Sequence, residues 1–189
     1  MAALPAYFCA AANLAAVVAL ATVLAPGTTL ADEAARATYV REHLVGWRLG
    51  WGLWVLAAVS LLVFYRWWTA RVGAPLWLLG IAVVGFSADL IAESLLITVV
   101  PERPGLAPLT FLLTGGVANG CYTIAGALIS LRTPHLRGGL AAWTAAVWLA
   151  GAVLSAFAFR EAPLGVAAAT AVLFALFIPW CVAVGRRLA

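Results

Sequence analysis

Two acids stand four residues apart in the stretch GFSADLIAESLL, Gly85 to Leu96: Asp89 and Glu93. On a helix such a pair shares a face, with Cβ atoms about 5–6 Å apart. The flanking residues are apolar enough for a membrane span. In hydrocarbon two neighbouring carboxyl groups cannot both ionise cheaply, so they titrate as a coupled pair. One protonated acid beside one carboxylate is a proton donor and a proton acceptor in one place. Ionisable residues inside a membrane are functional candidates by default. The chemistry expected of Asp89 and Glu93 is therefore acid–base work on a molecule that dissolves in lipid.

Those acids must be held by helices, and composition says in what solvent. Of 189 residues, 66% are hydrophobic and only 10% are charged, against roughly half and a quarter in soluble domains. A chain this short cannot hide that much apolar surface in a water-soluble core. Hydropathy predicts an all-α integral membrane protein of one domain, with spans at about 7–25, 48–66, 75–100, 106–131, 140–159 and 163–184. Short turns between them predict an antiparallel six-helix bundle. Residues Ala31 to Val45 read as a short amphipathic helix outside the membrane, a lid over the bundle. No strand-like alternation supports a barrel.

Loop arginines give the orientation. One side carries Arg66, Arg71, Arg132, Arg137, Arg186 and Arg187 with no acid. The other mixes five arginines with five acids. The positive-inside rule places both termini in the cytoplasm. No Lys or Arg precedes the first apolar stretch, so a cleaved signal peptide is not expected. The bases are all Arg and Ala is abundant, a codon bias pointing to a GC-rich bacterial genome and its cytoplasmic membrane. The net charge of +4 comes from arginines scattered in ones and twos; no basic stripe exists for a nucleic acid to follow.

At about 1.5 Å per residue, Asp89 lies roughly 18 Å below the outer end of the third span and Glu93 roughly 12 Å. Asn13 and Asn119 fall at roughly 20 Å in the first and fourth spans, so they and Asp89 are candidates for one polar layer. Tyr122 lies one turn from Asn119 on nearly the same face, and Thr114 is level with Glu93. Gly115, Gly116, Gly120 and Gly126 surround these groups; the Gly116–Gly120 spacing permits close helix packing, and small residues equally leave room for a ligand. Trp54 and Trp148 sit deep enough to face a cavity. Trp47, Trp51, Tyr65, Trp67, Trp68, Trp77 and Trp180 fall near span ends and read as an interfacial belt. A competing structural reading pairs Glu93 with Arg48, at the outer mouth of the second span, and hydrogen-bonds Asp89 to an Asn.

No metal or cofactor is expected. His43 and His135 are in loops on opposite sides, which disfavours haem and di-iron sites, and Cys9, Cys121 and Cys181 are isolated. Walker, GxSxG, HExxH and dinucleotide motifs are absent. Pro179 interrupts the sixth span, where a kink would open lateral access for lipid or relieve packing. The first functional expectation is an isomerase or cyclase acting on a lipid-soluble, isoprenoid-like substrate. In it Asp89 and Glu93 exchange protons, Asn13, Asn119 and Tyr122 orient the substrate, and the faces of Trp54 and Trp148 meet a developing cation. The role is analogous to that of small membrane-bound terpene cyclases, without a motif match. The alternatives are a proton-coupled transporter, against which stands the lack of a visible repeat, and a non-catalytic subunit or lipid sensor. A homo-oligomer is compatible with each.

Overall fold

Apolar runs cannot leave backbone amides unpaired in hydrocarbon, and helices pair them within the segment. The computed structural model describes residues 3–30 and 32–189. It contains six helices long and apolar enough to cross a membrane: α1 (Leu4–Thr29), α3 (Leu44–Val72), α4 (Leu76–Thr98), α5 (Pro104–Leu131), α6 (Gly139–Phe159) and α7 (Pro163–Leu188). The short helix between the first two spans is α2, Glu33–Glu42. It is shorter than the expected 31–45, of which Ala31 lies outside the described residues. Asp32 caps it, its carboxylate accepting from the Ala34 N–H at 2.9 Å.

Each span packs on its neighbours in sequence, and α7 then closes on α1, so the six form a ring. The first turn of α1 and the last turn of α7 lie at one end of it, where Gly185 meets Ala3, Ala6 and Tyr7. The opposite end carries α2 and is called the lid end below. Gly73, in the left-handed region at φ 63°, ends α3, a conformation that suits glycine. Cys9 and Cys181 are not isolated: their side chains meet where α7 closes on α1.

Two spans are not regular throughout. Leu20–Leu24 of α1 and Leu112–Ala118 of α5 are π-helical. The first precedes Pro26, which has no N–H to continue the ladder. The second runs through Gly115 and Gly116. Wide turns of this kind free carbonyls and recur at functional sites. The Tyr39 hydroxyl of α2 takes up one such carbonyl, donating to Val23 at 2.8 Å, and so ties the lid to α1.

The aromatic belt is mostly an aromatic core. Trp47, Trp51, Tyr65, Trp67, Trp68 and Trp180 are buried; only Trp77 is exposed. Three of these indole N–H groups find partners within the bundle: Trp47 donates to the Leu96 carbonyl at 2.7 Å, Trp68 to Thr133 Oγ1 at 3.0 Å and Trp180 to Thr144 Oγ1 at 2.8 Å; those of Trp51 and Trp67 do not. Rings packed on rings bury large apolar areas, which outweighs the interfacial preference here.

Helices α4 and α5 are in close contact at Gly85. A Cβ there would stand 2.9 Å from the Ala118 carbonyl oxygen and 2.9 Å from Cys121 Cβ. Gly80, on the same helix, has nothing within 4 Å of such an atom. Gly85→Val is expected to cost about 1–3 kcal/mol through overpacking and to lower the thermal midpoint of the detergent-solubilised protein, whereas Gly80→Val leaves it near the wild-type value.

Candidate functional site

The ring encloses a cavity of about 610 Å³, within the range of roughly 300–1,000 Å³ usual for small-molecule sites. Its walls are mostly apolar. On α3 it follows Trp51, Trp54, Ala58, Leu61 and Tyr65, a single helix face at three- and four-residue spacing. On α7 it runs from Pro163 to Phe177, roughly 21 Å along the axis at about 1.5 Å per residue. Asn13, Trp54, Asp89, Asn119, Tyr122 and Trp148 all line it. Six of the residues singled out by sequence are thus brought to one surface.

Asp89 is the single contribution of α4 to that surface. The tight contact at Gly85, one turn earlier, brings its helix against Tyr122. The Thr114 and Tyr122 hydroxyls are the polar side chains that approach its carboxyl group. They come near enough to act electrostatically, yet Asp89 Oδ1 and Tyr122 Oη have no hydrogen-bond partner. Thr114 reaches this position from the π-helical part of α5.

Glu93 does not line the cavity. Four residues overshoot a full helical turn by about 40°, and Glu93 is turned into the packing, 1% exposed, with both carboxylate oxygens unpartnered. The expected Arg48 clamp is not formed. Arg48 is exposed and its Nε donates to the Ile97 carbonyl at 3.3 Å, because it stands at the end of the helix, a turn beyond the carboxylate. The expected bond between Asp89 and an Asn is not formed either. Asn13 donates to its own helix, at Cys9 O (2.8 Å), and Asn119 donates to Gly151 O (2.7 Å) and Ser155 Oγ (2.8 Å), joining α5 to α6. The polar layer therefore shares one cavity without being one hydrogen-bonded network.

The floor is aromatic. No lining residue lies nearer the chain termini than Asn13, Tyr65, Thr123, Trp148 and Phe177. Beneath them Tyr65 stacks on Trp68 and on Tyr122, Trp68 stacks on Trp148, and Trp180 meets Trp148 edge-on at 5.1 Å. Tyr65 donates to the Tyr122 carbonyl at 2.7 Å, and Trp148, lying over Gly126, donates to Ser130 Oγ at 2.8 Å. Tyr65 and Trp51 were missed as cavity residues. Their spacing from Trp54 along one face of α3 is the signal that finds them.

No family model, curated protein or solved structure matches this chain. The site stands on its geometry alone. Among the described residues no group of three or more His, Cys, Asp or Glu side chains gathers to hold a metal.

Half of the unpartnered buried side-chain atoms among the described residues belong to this cavity; those of Trp67, Thr69 and Glu93 do not. Trp51 Nε1, Trp54 Nε1, Asp89 Oδ1 and Tyr122 Oη belong to cavity-lining residues, and the Glu93 oxygens lie one turn from Asp89. Buried groups normally find partners, and the orphaned atoms of Asp89 and Tyr122 belong to neighbouring residues on one void. Without a counter-ion, neutral isosteres are tolerated. Asp89→Asn and Glu93→Gln are each expected to melt at or above the wild-type temperature in detergent. A true ion-pair clamp at Glu93 would show instead a loss of about 3–5 kcal/mol.

Proposed function

We propose that this six-span membrane protein carries out acid–base chemistry, an isomerisation or cyclisation, on a lipid-soluble isoprenoid-like molecule held in the central cavity. The observation that carries the proposal is Asp89: one carboxyl group, with an unpartnered oxygen, exposed to a mostly apolar cavity beside an unpartnered phenol. An apolar site with a few convergent polar groups is the usual form of a small-molecule site.

In the proposed reaction the Asp89 carboxyl delivers its proton to an alkene carbon of the substrate. The O–H bond breaks, a C–H bond forms and a carbocation results. Loss of a proton from another carbon then restores the double bond at a new position and returns the proton to the Asp89 carboxylate, so the protein ends unchanged. The cation develops between Trp54 and Trp148, whose ring faces attract positive charge. Tyr122 directs the carboxyl group by hydrogen bonding once substrate excludes water. Glu93 acts through Asp89, as the neighbouring group with which it shares protons, and is a positioning residue here. Asn13 and Asn119, with their amide N–H groups engaged, shape the wall.

A carrier is the second reading, supported by one feature: a cavity open on one side and closed on the other is half of an alternating-access cycle. The two part on the fate of the lipid. Membranes from cells producing the wild-type protein are expected to contain a lipid isomer that falls by about 10²–10⁴-fold, the worth of a general acid or base, when Asp89→Asn is produced at equal level. Identical lipid profiles from the two strains would sink the enzymatic proposal, and Asp89-dependent proton flux in vesicles would then support the carrier.

A further inference from the structure

Five of the six seams in the wall are held by close packing, and between α3 and α4 the Trp47 indole also donates to the Leu96 carbonyl. Between α1 and α3, Leu24 fills the space over Gly50 and Trp47 that over Gly27. Gly85 brings α4 onto α5, Asn119 ties α5 to α6, and Phe157 of α6 packs over Gly165 of α7. Helix α7 packs on α1 along Leu4–Ala19, and its packing on the rest of α1, towards the lid end, is sparse. Residues facing each other across that gap line the cavity and are also exposed: Ala21 on α1, and Pro163, Ala167 and Ala171 on α7. The gap is edged by small side chains and opens sideways, towards lipid. It is not the opening expected at Pro179, which lies beyond the aromatic floor and does not line the cavity.

The groups at its upper edge define what passes. Arg36 of α2 and Glu161, between α6 and α7, both line the cavity mouth. Arg36 spends one N–H on the Leu30 carbonyl at 3.0 Å and keeps the others. Glu161 is the one non-glycine residue with positive φ (51°) among the described residues, a conformation that disfavours ordinary side chains. A hydroxyl group satisfies both: it accepts from a guanidinium and donates to a carboxylate. A phosphate would gain Arg36 and meet repulsion from Glu161. The cavity volume suits one chain of drug-like size, not a whole two-chain phospholipid.

We propose that the gap between α1 and α7 is a portal through which a single-chain lipid alcohol of the lid-end leaflet enters side-on, its hydroxyl held between Arg36 and Glu161 and its chain reaching down to Asp89. By the arginine bias this leaflet is the extracytoplasmic one. The inference rests on the acid–base proposal only for what happens to the chain at Asp89; binding and direction of access stand apart from it.

The test uses the full-length protein in phosphatidylcholine nanodiscs, with two photoreactive probes: a long-chain prenol carrying a diazirine in its tail, and its monophosphate. The prenol is expected to label residues along the gap and the cavity wall, and the phosphate to label them less. Ala21→Trp and Ala171→Trp, at exposed positions that tolerate bulk, are each expected to cut prenol labelling by at least about tenfold, equivalent to 1.4 kcal/mol, at an unchanged thermal midpoint. Ala171→Ser is expected to label like wild type. Glu161→Gln is expected to bring phosphate labelling up to that of the alcohol. Equal labelling of wild type by both probes, or prenol labelling that neither Trp variant reduces, would overturn the portal. Asp89→Asn is expected to retain prenol labelling; should wild type bind prenol in this way but convert no lipid, the portal stands and the acid–base proposal alone fails.

Discussion

Placing an ionised Asp at the centre of a membrane helix costs about 2.5–3.5 kcal/mol on insertion scales, and a buried ion without a partner costs more than a paired one. Asp89 and Glu93 bring this cost into one helix, and no basic side chain answers them. Arg48 stops at the helix end and both asparagines turn their amides to backbone carbonyls. What stands beside Asp89 is space. The rest of the bundle follows from keeping that space open inside a lipid-embedded protein: a ring instead of a filled bundle, aromatic bulk at one end, and helices drawn tightly together wherever the wall must hold.

The wall is held by devices that are local in sequence. Gly85 lets α4 touch α5 so that a single side chain, Asp89, reaches the interior. The π-helical stretch of α5 turns Thr114 towards that carboxyl group, and the Asn119 amide fastens the same helix to α6 on its other side. The π-helical turn of α1 leaves the Val23 carbonyl for Tyr39, which positions α2 and with it Arg36 at the mouth. Position in the interior and shape at the rim are therefore set by the same two irregular segments.

Much of this was legible in the sequence. Hydropathy gave six long apolar helices, and the structure has six helices long and apolar enough to cross a membrane, because length and apolarity decide which segments can span. Depth arithmetic gathered Asn13, Asp89 and Asn119 at one level with Tyr122 one turn away, and all four line one cavity. What depth does not carry is rotation about the helix axis. Asp89 and Glu93 were read as sharing one helix face, yet the residual angle between them puts one on the cavity and the other in packing. Trp51 and Tyr65 were assigned to the interface by their nearness to span ends, although the three- and four-residue steps through Trp54 and Leu61 place them on the inner face. Closure of α7 on α1, sparse beyond Ala19, joins opposite ends of the chain, and no local pattern announces it.

The stacked floor of Tyr65, Trp68, Trp148 and Trp180 has a consequence for the cell that houses this protein. A hollow helical ring spanning a bilayer would leak protons and ions if water could thread it. Four large rings with their N–H and O–H groups turned to backbone carbonyls and hydroxyls offer water neither room nor a chain of free donors. A chamber of this size is therefore compatible with a bilayer that stays tight to ions.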